Sequence, residues 1–486
     1  MDLFLENYWP HILALLSLVF GLVAAIHATM TKQEVRSAIG WVGVILLSPI
    51  LGALIYAVFG VNRMRNRVVN EKRRHVAGKG HARIVDYDCS NEDILQRFGR
   101  LALPMKRLGD HVSLGRITSG NKLHVFDNGD EAYSAMLSAI EGARNCLILE
   151  SYIFDRDEMG EHFVKALSAA AKRGVAVRVL IDAVGARYSI PSIVRDLRRE
   201  KVPVAVFNGN IIMGLRLPYA NLRTHRKILV VDNIVAFTGG MNIRAGFSHK
   251  LSGEKTADDT HFKVEGPAVI DLFRVASNDW CFATGEALDD KNWSIPSPKC
   301  KPNEGMCVRV VPTGPDRLME TNQRMLIGAF SLAEKHIRIM TPYLLPDREL
   351  ISGLVTAARR GVEVDIVVPG NNNLKLVDRA MRAQFDQLLQ DGCRIWRANG
   401  PFNHSKLIAI DDRWSYVGSS NLDARSLRLN FEIDMEVFDE SLSHYLSEKI
   451  AKEQKDSRQV LMEDLVKRPF LFRLIDKIIW LGSPYL

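Results

Sequence analysis

The sequence reads HRKILVVD at residues 225–232 and HSKLIAID at residues 404–411. In both stretches a lysine follows a histidine by two positions and an aspartate follows the lysine by five, so the pattern H-x-K-x4-D occurs twice. A turn of small residues and an asparagine follow each copy, as Gly239-Gly240-Met241-Asn242 and Gly418-Ser419-Ser420-Asn421. Two copies in the same register are far less expected by chance than one. The pattern therefore predicts a chain built from two related halves.

The residue types of the motif suit transfer of a phosphoryl group. Residues 228–231 and 407–410 are apolar and rich in β-branched types, which predicts buried strands. Side chains two apart on a strand point to the same face, so each histidine and lysine should project together into a cavity. Two lysines can stabilise the charge that grows on a phosphodiester. One imidazole can attack phosphorus while the other protonates the leaving alkoxide, so neither half should work alone.

A structural histidine and a metal site are the alternative interpretations of the motif. A single histidine in a strand is most often a packed core or surface residue. Two lysines in apolar strands would be costly without an anionic partner, and the duplication argues against coincidence. Histidine and aspartate are also metal ligands. However, a lysine beside each histidine would repel a cation, and no further histidine cluster completes a coordination shell, so we expect no metal and no cofactor.

The paired motif resembles that of the phospholipase D superfamily. This resemblance implies a covalent phosphohistidine intermediate, with His225 as nucleophile and His404 as general acid by family habit, although the sequence itself does not order the two. It also implies that a carboxylate downstream of each motif holds the second ring nitrogen of the histidine, which would fix the tautomer and raise the basicity of the ring. Asp259 and Glu432 are the best matches for these carboxylates.

The same resemblance assigns the other residues of the site. The motif set expected to carry catalysis comprises His225, Lys227, Asp232, His404, Lys406 and Asp411. The residues expected to contact phosphate oxygens are Gly240, Asn242, Ser419 and Asn421. Within the motif set, the two aspartates lie beyond the strands and are expected to be structural, tying the two halves together. Tyr152 and Tyr343 occupy matching places in the halves and either line the cleft or pack at a strand end.

The two halves repeat an order of helices and strands. Helix, strand, helix and strand are predicted at 133–143, 146–154, 160–173 and 175–182, and again at 322–334, 337–343, 350–360 and 362–369. Strands that alternate with helices predict an α/β fold with a parallel-rich sheet and helices on its faces. Two such lobes, related by a pseudo-twofold axis, would bring both motifs to one cleft, and this architecture also matches the family.

The N-terminus predicts a transmembrane hairpin of two helices, because residues 11–29 and 39–60 are each long and apolar enough to cross a hydrocarbon core of ~30 Å. A cleaved signal peptide and a pair of buried helices are the alternatives, and the first lacks a basic n-region. The loop between the two stretches holds Lys32 and Arg36, whereas a larger cluster of basic residues follows the second stretch. This difference predicts a catalytic part on the cytoplasmic side of a bacterial inner membrane. That cluster comprises Arg63, Arg65, Arg67, Lys72, Arg73 and Arg74.

Five parts are expected along the chain: a hairpin (1–61), a basic connector (62–118), a first lobe (119–290), a second lobe (291–455) and an amphipathic C-terminal segment (456–486). The last segment either lies in a membrane surface or packs against the lobes. The net charge of +8 suits nucleic acid and an anionic membrane equally well. The six cysteines have no metal-like spacing and are expected to be free thiols.

The resemblance is closest to bacterial cardiolipin synthases and extends over the hairpin, the connector and both halves. In the membrane region it rests on Trp41, Pro49, Gly52, Tyr56 and Gly60. It implies an enzyme that joins two phosphatidylglycerol molecules and releases glycerol, with anionic membrane lipids rather than nucleic acid as partners. A phospholipase D hydrolase is the nearest alternative, since water competes with the second lipid. A membrane-tethered nuclease and an inactive lipid-binding scaffold are further alternatives; both complete motifs argue against the scaffold.

Overall fold

The computed structural model describes residues 2–32, 34–60, 85–100, 102–208, 222–316 and 318–483. The chain forms two compact units, Met1–Arg65 and Asn66–Leu486. The basic cluster between Arg63 and Arg74, on which the predicted orientation rests, lies outside the described residues, as does the first part of the predicted connector.

The described helices are α1 (Asp2–Thr31), α2 (Val35–Leu47), α3 (Pro49–Ile55), α4 (Asn91–Phe98), α5 (Ala102–Val112), α6 (Gly129–Gly142), α7 (Glu158–Lys172), α8 (Ile193–Arg199), α9 (His249–Ser252), α10 (Ala268–Thr284), α11 (Thr321–Leu332), α12 (Arg348–Arg359), α13 (Lys375–Arg382), α14 (Asp386–Leu389), α15 (Ala424–Arg428), α16 (Glu440–Lys455), α17 (Met462–Val466) and α18 (Phe470–Leu481). The described strands are β1 (Thr118–Phe126), β2 (Cys146–Ser151), β3 (Ala176–Asp182), β4 (Val204–Phe207), β5 (Arg223–Thr224), β6 (Ile228–Val231), β7 (Val235–Gly239), β8 (His261–Glu265), β9 (Met306–Thr313), β10 (His336–Met340), β11 (Leu344–Leu345), β12 (Glu363–Pro369), β13 (Arg394–Ala398), β14 (Leu407–Ile410), β15 (Trp414–Gly418), β16 (Leu422–Asp423), β17 (Asn430–Phe438) and β18 (Ser457–Gln459).

The N-terminal unit has one apolar helix of membrane-spanning length within the described part of the chain. This is the stretch Tyr8–Thr31 of α1, with 24 residues and a mean hydropathy of 2.3. The predicted second span, residues 39–60, is not continuous. It breaks at Ser48, whose φ of −148° and ψ of 85° are not helical, and restarts at Pro49, which lacks the N–H that would continue α2. The pieces α2 and α3 are 13 and 7 residues long, so neither by itself has the length of a span, and the predicted two-helix hairpin is not confirmed.

The second unit is built on one sheet of sixteen strands. The strand order is β18-β13-β12-β10-β14-β15-β17-β9-β1-β8-β7-β6-β2-β3-β4, and β5 pairs with β17 outside this path. The order from β9 outward to β13 is repeated from β1 outward to β4. The antiparallel pair of β9 and β1, in which Thr118 lies opposite Val308, joins the two series. The prediction of two related lobes is therefore confirmed.

The prediction of a parallel-rich sheet was wrong. Only the neighbours among β2, β3 and β4, and among β10, β12 and β13, are parallel on the main path. The other neighbours are antiparallel. The cause is local, because short turns join β6 to β7 and β14 to β15, and a turn of that length can connect only antiparallel strands.

Each lobe buries its own hydrophobic core between the sheet and the helices. Phe163 and Leu167 of α7 pack on β2 and β3 in the first lobe, and Phe330 of α11 packs on β10 in the second. Gly174 and Gly361, with φ of 90° and 92°, follow α7 and α12 and turn the chain into the next strand. Only glycine adopts this left-handed conformation at little cost, which explains the matching glycines of the two repeats.

Helices α4 and α5, which fall within the predicted connector, pack on the core of the second lobe through Ile94 and Met105. Arg309 of β9 fixes α5 to the sheet. Its fully buried guanidinium lies 2.7 Å from Glu436 and 2.9 Å from Asp110 of α5. This part of the connector is therefore integral to the lobe.

Candidate active site

The two motif histidines lie immediately before β6 and β14, not within them. The backbone N–H of His225 donates to the carbonyl of Phe431 at 2.8 Å, and that of His404 donates to the carbonyl of Asp258 at 2.7 Å. In both cases the acceptor belongs to the other lobe. The backbone of each motif is therefore bonded to the opposite lobe at the histidine, and its own strand begins three residues later. Both histidines thus lie where the lobes meet.

The side chains of the histidines also pair across the lobes. His225 Nδ1 lies 2.9 Å from Glu432 Oε2, and His404 Nδ1 lies 2.8 Å from Asp259 Oδ2. All four side chains are buried. The two carboxylates are those named from the sequence, but each holds the histidine of the other half rather than that of its own. An ionised carboxylate only accepts, so each pairing favours the tautomer with the proton on Nδ1 and leaves Nε2 available for chemistry. At His404 the ammonium of Lys406 also lies 2.9 Å from Nδ1.

Gly240 and Ser419, expected to contact phosphate, instead lie against these carboxylates. A side-chain carbon at Gly240 would come within 2.4 Å of Asp259 Oδ1, so only glycine leaves room for the carboxylate. At the matching position, the hydroxyl of Ser419 donates to Glu432 Oε2 at 2.6 Å. The small residue after the strand therefore accommodates or holds the carboxylate of its own lobe.

The motif lysines are buried beside the histidines. Lys227 Nζ donates to the carbonyl of His225 at 2.5 Å, and Lys406 Nζ donates to that of His404. Burial lowers the pKa of Lys227 to about 7 and that of Lys406 to about 8, because the ammonium groups lose their water. The site therefore holds two poorly solvated cations that an anion would stabilise.

Burial also lowers the pKa of both histidines, and the charge of each lysine reinforces the effect on both rings. The pKa of His225 lies well below its usual value, and that of His404 falls to about 4. Burial opposes ionisation of Asp259, yet Lys406 and the hydrogen bond from His404 hold the pKa of this carboxyl below its usual value. Burial raises the pKa of Glu432. The two histidine–carboxylate pairs are thus similar in geometry, while the pKa of the carboxyl is shifted in opposite directions.

The motif aspartates lie at the other end of β6 and β14. Asp232 accepts the backbone N–H groups of Arg144, Asn145 and Cys146, at 2.7 to 3.0 Å. Asp411 accepts those of Glu334, Lys335 and His336 at 2.8 to 2.9 Å. These contacts are structural, as expected, but they stay within one lobe. The expectation that the aspartates tie the halves together was wrong.

Asn242 and Asn421 are buried near the motif strands. The side-chain oxygen of Asn242 accepts the backbone N–H of Ile153 at 3.1 Å. That of Asn421 has no partner among the described residues, and Asn421 lines a cavity together with Lys406. Tyr152 and Tyr343 lie beside the histidines, with ring centroids 4.9 Å from His225 and 6.3 Å from His404. Each tyrosine ring therefore lies against the motif histidine of its own half.

Arg226, between the histidine and lysine of the first motif, was missed from the sequence. Its guanidinium is buried, forms an ion pair with Asp279, and donates to the carbonyls of Glu432 and Thr313 of the second lobe at 2.9 and 3.0 Å. In the second motif Ser405 takes its place, with its hydroxyl oxygen 2.9 Å from that of Thr260. The sequence did contain a signal for a buried, paired arginine, since a charged residue stands between a motif histidine and an apolar strand. Its target on the opposite lobe was not visible.

The described residues contain no group of three or more histidines, cysteines, aspartates and glutamates arranged to hold a metal. The functional groups of the site are two imidazoles, two carboxylates and two ammonium groups. Such a set can bind the anionic oxygens of a phosphodiester, attack its phosphorus and exchange a proton with its leaving group.

Comparison with known proteins gives consistent matches. The domain family described as "Cardiolipin synthase, PLD-like domain" matches residues 136–254 and 326–453, and "Phospholipase_D-nuclease N-terminal" matches residues 12–60. A cardiolipin synthase of Alkalihalophilus pseudofirmus is 30% identical, with 99% of this chain and 95% of the relative covered. One from Clostridium perfringens is 31% identical, with 93% and 95% covered. A crystal structure of phosphatidylserine synthase from Haemophilus influenzae shares the fold, with a TM-score of 0.58, 17% identity and coverage of 79% of this chain and 100% of that chain.

Proposed function

The chain belongs to the phospholipase D-like cardiolipin synthases, and from this premise we propose how its site transfers a phosphatidyl group from one phosphatidylglycerol to another. The products are cardiolipin and glycerol. The observation that supports the proposal is the crossed pairing of His225 with Glu432 and of His404 with Asp259. Because each Nδ1 is held by a carboxylate, one Nε2 from each lobe is left for the reaction. Because that carboxylate comes from the other lobe, the site depends on both halves.

In the first step, Nε2 of His225 attacks the phosphorus of the donor lipid. The bond from phosphorus to the glycerol oxygen breaks, and the proton on Nε2 of His404 goes to the departing glycerol. In the second step, Nε2 of His404 takes the proton from a terminal hydroxyl of the second phosphatidylglycerol. The resulting alkoxide attacks the phosphohistidine, which forms cardiolipin and frees His225. One phosphodiester replaces another in this sequence, so no nucleoside triphosphate is consumed.

The charges of the two pairs support this order of roles. The low pKa of His225 keeps its Nε2 unprotonated and nucleophilic. His404 is held by Asp259, whose low pKa keeps the carboxylate ionised. In the free site the pKa of His404, about 4, leaves this ring neutral as well. It becomes an acid when the negative charge of an incoming phosphodiester adds to that of Asp259 and raises this pKa, which favours the imidazolium form. Lys227 and Lys406 stabilise the phosphate oxygens, and we assign phosphate contact to Asn242 and Asn421 as well.

A donor with a leaving group that needs no protonation tests the roles. With the phosphatidyl ester of 4-nitrophenol, the His404→Ala variant should release a burst of nitrophenol equal to the enzyme concentration and retain a phosphatidyl group on His225, detected by mass spectrometry of the peptide. The His225→Ala variant should show no burst. A burst in His225→Ala alone would reverse the assignment, and its absence from both variants would contradict a phosphohistidine.

The competing outcome is hydrolysis, in which water takes the place of the second lipid. Labelled phosphatidylglycerol given to the reconstituted full chain should yield labelled cardiolipin and free glycerol. Phosphatidic acid as the main product would identify a hydrolase. Cleavage of DNA in place of the lipid would identify a nuclease.

We propose further that the N-terminal unit crosses the bacterial inner membrane twice and leaves the second unit on the cytoplasmic side. The support is the basic residues after position 60, which outnumber those of the loop before α2. A fluorescent protein that folds only in the cytoplasm, fused after residue 486, should be bright, whereas alkaline phosphatase at the same point should be inactive. The opposite result would place the site outside.

A further inference from the structure

A cavity of about 350 Å³ lies at the far edge of the second lobe, away from the motif histidines. Four arginines line it, three from different elements and one from the segment before α18. They are Arg382 of α13, Arg397 of β13, Arg458 of β18 and Arg468, which precedes α18. The volume is sufficient for a phosphate with its ester substituents. Guanidinium groups bind such oxygens in pairs of hydrogen bonds, so the lining is suited to an anion of this kind.

The arginines are only partly balanced by nearby carboxylates. Asp378 is shared by Arg382 and Arg397, Asp464 lies 3.1 Å from Arg458, and Asp476 lies 2.6 Å from Arg468. Four cations therefore face three anions. Nη2 of Arg397 donates to the carbonyl of Gly370 at 2.8 Å, but its Nη1 is buried and has no hydrogen-bond partner among the described residues. A buried donor of this kind is costly to leave unpaired, and a phosphate oxygen would satisfy it.

Helix α18, beside this cavity, has two apolar faces. Ile479 and Trp480 pack on the core of the lobe. On the other face Leu471, Ile478 and Leu481 are 63%, 57% and 72% exposed, and Phe470 and Leu474 are exposed beside them. The sequence left two alternatives for this segment, packing on the lobe or contact with lipid, and the structure shows that packing uses only one face.

The charges of α18 also differ between its two faces. Its only acidic residue, Asp476, is 1% exposed and is paired with Arg468. The exposed face therefore presents apolar side chains beside Arg473, and no carboxylate of the helix. Lys477 is also exposed, but its ammonium lies 3.2 Å from Asp386 of α14 and donates to the carbonyl of Ala383. A cationic rim around an apolar stripe is complementary to the surface of a membrane that contains anionic lipid.

Exposed apolar residues also lie near the active site. The hydroxyl of Tyr343, whose ring lies beside His404, donates to Asn373 at 2.9 Å. The next residues include Leu374 and Leu376, which are exposed, and they lead into α13, which packs against α18. Exposed apolar side chains thus lie both near the cleft, at Leu374 and Leu376, and on α18, with α13 connecting the two places.

We propose that the arginine cavity binds the phosphate of an anionic phospholipid that remains in the bilayer, while the outer face of α18 lies among the acyl chains. This site is separate from the catalytic one and seats the second lobe on the membrane with its cleft toward the lipids. A soluble phosphate ester would leave the apolar stripe in water. A second copy of the chain would bring the cationic rims of two molecules together, so the bilayer is the occupant that both features fit.

The test uses the full chain in nanodiscs, with the His225→Ala substitution to prevent turnover, so that its outcome does not depend on the catalytic proposal. Hydrogen–deuterium exchange of residues 457–482 is measured in phosphatidylcholine and in phosphatidylcholine mixed with phosphatidylglycerol. Phosphatidylglycerol should slow exchange in β18, α17 and α18. The Leu471→Gln/Ile478→Gln pair should lose most of the protection in both lipids. Arg458→Gln should require about fivefold more phosphatidylglycerol for the same protection, the effect of one cation near an anionic surface.

Two matched substitutions in turns that follow interior strands of the sheet serve as controls. Ile234→Gln removes an exposed apolar side chain from the turn after β6, and Arg413→Gln removes an exposed arginine from the turn after β14. Neither should change exchange in α18. Arg397→Gln tests the buried donor. If Arg397→Gln does not fold, Arg458→Gln still tests whether the arginines of the cavity bind the lipid. Three results would overturn the proposal. Exchange could be equal in both lipids, it could slow with protein density instead of phosphatidylglycerol, or it could slow equally with glycerol phosphate in water.

Discussion

The hydrogen bond from Nδ1 of each motif histidine decides which atom of the ring can react. Glu432 holds His225 and Asp259 holds His404, so the tautomer of a nucleophile in one lobe depends on a residue of the other. The carboxylates are themselves fixed, Glu432 by Ser419 and Asn430, and Asp259 by the space left at Gly240. The reactivity of a single side chain is therefore set by at least three others.

Replacing either carboxylate by its amide tests this dependence. Asp259→Asn and Glu432→Gln should each lower kcat by on the order of 10³- to 10⁴-fold, because an amide can hold the wrong tautomer and cannot stabilise an imidazolium. Rates of cardiolipin formation in vesicles give the measurement. Asp258→Asn, one position away and partly exposed, is the matched control and should stay within threefold of the parent. A loss of less than tenfold in both amide variants would contradict the assigned positioning role.

The lysines predict how anion binding depends on pH. Their pKa values of about 7 and 8 in the free site mean that both are charged below pH 7 and both are neutral well above pH 8. Affinity for an anion should therefore be highest at low pH and should fall as the pH rises through 7 and 8, because binding must then restore the lost protons.

Inhibition by tungstate, which keeps its charge over this range, provides the measurement. The inhibition constant should rise at least tenfold between pH 6.5 and pH 9. In Lys227→Met the rise should be smaller, since only one titrating lysine remains. An inhibition constant that is independent of pH in the parent protein would show that the lysines remain charged throughout.

At the scale of the elements, the hairpins β6–β7 and β14–β15 connect the site to the frame of each lobe. The turn residues Asp232 and Asp411 have φ of 51° and 54°, and each accepts three N–H groups at the start of β2 or β10. The aspartate of the motif thus fixes the far end of the strand whose near end follows the histidine and lysine. Its place in the motif reflects the length of that strand.

Removal of this aspartate should affect stability far more than chemistry. Asp232→Ala leaves three backbone donors without a charged acceptor and should lower the free energy of unfolding by about 2–4 kcal/mol. The kcat of the folded fraction should remain within threefold. Thermal unfolding in detergent and activity per folded molecule are the two measurements. Asp289→Ala, an exposed carboxylate in the same lobe, is the control. A large loss of kcat without loss of stability would restore a catalytic role to Asp232.

At the scale of the whole second unit, one sheet runs through both lobes and several groups cross between them. The chain pairs β1 with β9 at the centre, β5 of the first lobe with β17 of the second, and Arg226 with the backbone of Thr313 and Glu432. The two halves that contribute residues to the proposed site are therefore joined by contacts within one chain.

Complementation between inactive chains tests this arrangement. When His225→Ala and His404→Ala chains are reconstituted together in one membrane, activity should remain at the level of the separate variants, because every site lacks one histidine. A mixture of the parent with either variant is the control and should retain activity in proportion to the parent. Recovery to roughly a quarter of the parent rate or more would show that two chains exchange lobes and share sites.

The sequence by itself determined the duplicated lobes, the strands β6 and β14, and the two motif histidines, because these depend on local patterns of residue type and spacing. The two carboxylates followed from the resemblance of the sequence to a known family. Only the tertiary structure decided that the carboxylates exchange lobes, that Gly240 and Ser419 serve those carboxylates, and that most neighbouring strands are antiparallel. It also showed that the second apolar stretch breaks at Ser48 and that Arg226 reaches the other lobe. The reason is physical: these features depend on pairing between residues far apart in the chain, or on backbone angles at one position, and hydrophobic periodicity carries no information about either.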